Sequence, residues 1–123
     1  MRNVLRFISL LLVLSLCTCA PSPESPLFSL KTSAETGITF ANHINEDDTY
    51  NILDFEFVYN GGGVAVADFN GDGLEDLYLT GNQVANAMYL NKGDLTFADI
   101  TEQSNTGGAE RWCSGVVAGD VNG

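Results

Sequence analysis

Two nine-residue stretches of this chain, GVAVADFNG at residues 63–71 and GVVAGDVNG at residues 115–123, agree at five positions with a constant offset of 52. The matched pairs are Gly63 and Gly115, Val64 and Val116, Asp68 and Asp120, Asn70 and Asn122, and Gly71 and Gly123. Similarity at a fixed period marks one supersecondary unit used again. A single copy of such a unit has too little core to stand alone, so it must bury its apolar faces against neighbours. The second copy runs four residues into its acidic loop at Gly123, which reads as the opening of a longer repeat array.

Between the two copies lie four strand-like pieces. GVAVADF leads into an acidic loop, DLYLTG leaves it, and NAMYLN, the turn KGD and LTFADIT follow. Upstream, LDFEFVYN alternates Leu53, Phe55, Phe57 and Tyr59 against Asp54, Glu56 and Val58, the period-2 pattern of a half-buried strand. GITFAN reads as a further short strand and HINEDDTYN as a polar loop. The glycine triplet at residues 61–63 is a turn, because neither a P-loop lysine nor a helix follows it. No amphipathic helix is legible after residue 19. The fold class is therefore all-β: four strands per period is the pattern of a β-propeller, here a first blade and the start of a second, preceded by a signal peptide.

The acidic loop, DFNGDGLEDLYL from Asp68, has the spacing D-x-N-x-D-G-x-x-D. It offers side-chain oxygens from Asp68, Asn70 and Asp72, a backbone carbonyl from Leu74, and the carboxylate of Asp76. Calcium takes six to eight oxygens at about 2.3–2.6 Å, and a tight loop can wrap that many around one ion. Gly73 permits the sharp turn, and at Gly71 a side chain would crowd the ligands. An EF-hand needs an acid at position 12 and helical flanks; here position 12 is Leu79 and the flanks are strand-like. Zinc has no nearby His or Cys, and magnesium demands stricter octahedral geometry. Glu75 should point away from the ion. Asp120 and Asn122 open a second, partial site of the same kind.

Residues 1–18 carry Arg2 and Arg6 ahead of an apolar run, the pattern of an export signal. The run is shorter than the ~20 residues of a membrane span. Its end, LCTCAPSPESP, resembles a bacterial lipobox, with Cys19 as the lipidated residue because the small Thr18 precedes it; Cys17, after the bulky Leu16, is the alternative. Acyl chains there would anchor the protein to a membrane without spanning it. Residues 19–35, with all three prolines, form a tether, and residues 36–123 the repeats. After residue 18, three cations (Lys31, Lys92, Arg111) face sixteen acids, a net of −13. That charge repels nucleic acid and suits hard cations.

NGGGVAVADFNGDGLEDLYLTGN and NAMYLNKGDLTFADIT resemble the FG-GAP/VCBS type of repeat found in integrin-α-like propellers. ETGITF, the glycine triplet and WCSGVVAGDVNG resemble the opening of bacterial exported proteins that carry such repeats and end in an ASPIC/UnbV domain. The resemblance covers roughly residues 36–123. With one histidine, His43, in a polar loop, no Ser-His-Asp or Cys-His arrangement is legible, and no catalytic residue is expected. Cys113 reads as a small buried hydrophobe and Trp112 as a core aromatic, with sugar stacking the lesser reading of Trp112. Two functions follow. One is a calcium-stabilised, lipid-anchored module of the bacterial cell envelope that presents a surface to a protein or glycan ligand. The alternative is the N-terminal part of a polysaccharide-degrading envelope enzyme whose active site lies downstream. A short calcium-binding lipoprotein is weakened by the loop broken at Gly123.

Overall fold

The computed structural model describes residues 26–108 and 111–121. The expected signal segment at residues 1–18, Cys17, Cys19 and Asn122 lie outside the described residues. The chain divides into two units, Met1–Leu30 and Lys31–Gly123. In the first, the described residues 26–30 are irregular, with Leu27, Phe28 and Leu30 exposed.

The second unit is built on one four-stranded antiparallel sheet. Its strands are β1 (Val64–Ala67), β2 (Asp76–Leu79), β3 (Ala87–Asn91) and β4 (Phe97–Asp99), hydrogen-bonded in that order. These are the four expected strands, and an up-and-down meander is the simplest path for short strands joined by short turns. The register pairs Val64 with Leu79, Val66 with Leu77, and Leu77 with Tyr89. β1 shows the expected alternation: Ala65 is buried while Val64 and Val66 are exposed. Among the described residues, helix content is limited to α1 (Ser33–Thr36) and α2 (Thr101–Ser104), one turn each. In α1, Thr32 and Glu35 form a reciprocal capping box, and Gly37 in the left-handed region ends the turn.

The core is small and centres on β3. Ala87, Met88 and Tyr89 are buried there, with Ala65 from β1 and Val58 from the preceding turns. Buried hydroxyls and amides need partners, and they have them. The Tyr89 hydroxyl accepts from the backbone N–H groups of Thr39 and Phe40 at 3.2 and 3.0 Å. That pins the 38–45 segment onto the sheet. Two reciprocal amide pairs extend the clamp: Asn42 with Asn82, and Gln83 with the backbone of Asn45. Tyr78 donates its hydroxyl proton to the Thr106 carbonyl and accepts from Asn86.

Two expected strands are not strands. GITFAN is irregular chain, its amides spent on Tyr89 rather than on a neighbouring strand. LDFEFVYN is a run of turns, with Phe55 donating to Asn51, Val58 to Phe55 and Asn60 to Phe57. The Asn51 side chain starts it by accepting from the Leu53 and Asp54 amides. The glycine triplet, expected as a turn, is irregular chain that follows the turns at residues 56–59 and leads into β1, with a distinct reason for glycine at each position. Gly61 has φ +76°, a Cβ on Gly62 would strike the Thr80 carbonyl, and a Cβ on Gly63 would sit 2.7 Å from the Val116 nitrogen. Gly63 thus lies against Gly115, the residue that matches it one period later.

Candidate metal loop

The acidic loop connects β1 to β2, and both ends are set by the sheet. Ala67 pairs with Asp76 in the ladder, so the chain must reverse between them. Asp68 opens the turn and Asp76 closes it as the first residue of β2. Gly71 and Gly73 hold φ of +78° and +85°, which ordinary side chains resist. At Gly71 the backbone conformation by itself calls for glycine; beyond its two chain neighbours, a Cβ there would meet nothing within 4 Å.

Asp68 organises the loop from its rim. Its Oδ1 accepts from the Gly71 and Asp72 amides at 2.7 and 3.1 Å, and its Oδ2 from the Gly73 amide at 2.8 Å. These donors, the Gly73 amide foremost, hold its carboxyl below the usual aspartate range although the residue is exposed. Asn70 accepts from the Asp72 amide at 2.9 Å and donates to Asp72 Oδ2 at 2.9 Å. Asp72 Oδ1 accepts from the Leu74 amide.

Asp76 sits at the opposite extreme, with 0% exposure. Its two oxygens accept from the Phe69 amide at 3.0 Å and the Asn91 amide at 2.8 Å. Asn91 also donates its side-chain amide to the Glu75 carbonyl. Asn91 was not legible as part of the loop, since it lies fifteen residues beyond Asp76 and reaches it only through the β2–β3 pairing. Glu75 is exposed.

Whether these residues suit a calcium ion turns on the acceptor capacity they retain. An ionised carboxylate offers about four lone-pair sites. Three are filled on Asp68, two on Asp76 and two on Asp72, so each keeps at least one for a cation. The donor set is all oxygen, which suits a hard ion. Among the described residues no three His, Cys, Asp or Glu side chains converge on one point. Each carboxylate instead accepts from nearby N–H groups. The Leu74 carbonyl follows Gly73 in the same turn. Asp120 is exposed and has an interaction partner, and with Asn122 outside the described residues the second, partial site is described at one position.

A family model described as an FG-GAP-like repeat matches residues 68–123, from the first acid of the loop through the start of the second copy. An FG-GAP-like repeat is thus present over that span, shorter than the 36–123 that the motifs pointed to. No curated protein and no solved structure matches the chain.

Proposed function

We propose that residues 36–123 are a calcium-pinned part of a β-propeller-like binding module, held at a bacterial envelope membrane by lipid on Cys19. The repeat itself suggests a propeller-like module. The observation that carries the calcium reading is the loop between β1 and β2. Within nine residues it carries Asp68, Asn70, Asp72 and Asp76, and spare acceptor capacity remains on all three carboxylates. A bound cation would supply charge neutralisation and hold the turn; the chain supplies the oxygens and the glycines that let the loop close.

The apolar surface left on β1 supports a radial array. Val64 and Val66 are 62% and 54% exposed, as befits a strand whose outer face meets a neighbouring blade. The contact of Gly63 with Gly115 fits the same picture, since matching residues of adjacent blades come together near a shared axis. The module's role is to present a surface to a protein or glycan.

The test is thermal unfolding of the full chain in mild detergent, with calcium or with chelator. A ligand that binds only the folded form stabilises by about 2.7 kcal/mol at a hundredfold excess over its dissociation constant. Wild type should melt higher with calcium, and Asp68→Ala should lose most of that gain. Equal melting of wild type in calcium and chelator would remove calcium from the account. For the anchor, Cys19→Ser should abolish incorporation of a labelled fatty acid in a bacterial host; undiminished labelling would move the anchor elsewhere.

A further inference from the structure

Away from the acidic loop, residues 82–85, with Tyr50, Gly108, Arg111 and Trp112, form an open cleft of about 510 Å³, within the range of small-ligand sites. Tyr50, Trp112, Arg111, Asn82, Gln83 and Gly108 line it. The Tyr50 and Trp112 rings stack at 5.4 Å and 15°, and Phe55 braces Trp112 edge-on at 5.0 Å. Tyr50 remains 40% exposed, so aromatic surface faces the cleft.

The amides in the wall are already spent. Asn82 is 4% exposed and donates to the Gly61 and Cys113 carbonyls while accepting from Asn42. Gln83 is committed at both ends to the Asn45 backbone. These groups fix the walls and leave Arg111 as the cleft's charged side chain. Among the described residues no carboxylate lies within ion-pairing distance of it, although the chain is rich in acids.

We infer that this cleft binds a terminal acidic sugar, a pyranose carrying one carboxylate. The weakly positive C–H face of a pyranose suits the negative face of an aromatic ring. The guanidinium fork of Arg111 suits a carboxylate in paired hydrogen bonds. The net negative charge of the chain disfavours a long polyanion, so a single acidic residue at a chain end fits best. The inference rests on reading the chain as a binding module and names the class of its ligand.

Trp112 is the chain's one tryptophan, so its fluorescence reports on the cleft directly. The full chain in calcium and mild detergent would be titrated with a glucuronic-acid-terminated disaccharide, its glucose-terminated counterpart, and acetate. A saturable change with the acidic sugar is expected. Arg111→Gln, an exposed substitution, should weaken it about tenfold or more, as should replacing the acidic sugar by the neutral one. Tyr50→Ala should weaken both sugars. Equal binding of the neutral sugar, acetate binding as tightly as the acidic sugar, or no response in a chain with intact β-type circular dichroism would overturn the inference. Calcium-dependent melting is read separately: a calcium shift without a sugar response sinks the ligand class alone, whereas loss of both sinks the module reading as well.

Discussion

Asp76 and Asp68 bracket the same loop in opposite environments, and their substitutions should fail in different ways. Asp76 is fully buried and satisfies two backbone donors from two different segments, Phe69 and Asn91. Replacing it with alanine strands both N–H groups, each worth about 1–3 kcal/mol when buried without a partner. Asp76→Ala should therefore lose about 2–6 kcal/mol in calcium-free urea unfolding. A midpoint unchanged from wild type would mean that the two amides find other partners. Asp68 is exposed and acts through its charge on three loop amides. Its folded pKa is depressed by those donors. The stability it contributes is present above the unfolded value of about 3.9 and is lost as pH falls through the folded value. In chelator, the gap in melting temperature between wild type and Asp68→Asn should hold from pH 7 down to about 4 and narrow below it. A gap indifferent to pH would mean that the charge of Asp68 does not matter.

Among the elements, the four strands were legible because each signal is local. Alternation in VAVA and the turn residues of NGDG and KGD sit within the elements they define. The same alternation misled at residues 53–59. Phe55 and Phe57 look like one face of a strand, but Phe55 packs on Trp112, fifty-seven residues later, and among the described residues no strand pairs with this segment. GITFAN misled for a related reason, because its amides are claimed by the Tyr89 hydroxyl. In the metal loop the acids were plain from spacing, whereas Asn91 depends on strand pairing and carries no mark in the loop's own sequence. Glycine roles divide likewise. Gly71 and Gly73 follow from turn chemistry, but Gly63 is constrained by backbone one period away. Gly63→Ala should cost about 1–3 kcal/mol through overpacking against Gly115 and Val116. Gly115→Ala, where a Cβ meets nothing within 4 Å, should stay within about 0.5 kcal/mol of wild type. Equal effects of the two in urea unfolding would show that the close approach is not a constraint.

At the scale of the molecule, the 52-residue offset, the four-stranded meander and the FG-GAP-like match from Asp68 onward describe one repeating unit. Its buried core is small and its β1 surface apolar, so a large share of its stability should come from loops that hold their shape and from neighbouring repeats. The loop between β1 and β2 is where a cation would have most effect, because it joins Asp68 at the surface to Asp76 in the core. Calcium binding there, as proposed above, can be read residue by residue by NMR of the full chain. Calcium titration should shift the amides of Gly71, Asp72, Gly73 and Leu74 saturably, with those of Phe69 and Asn91 moving in step as Asp76 responds. Saturable shifts clustered elsewhere, or none in the loop at millimolar calcium, would place calcium outside this loop.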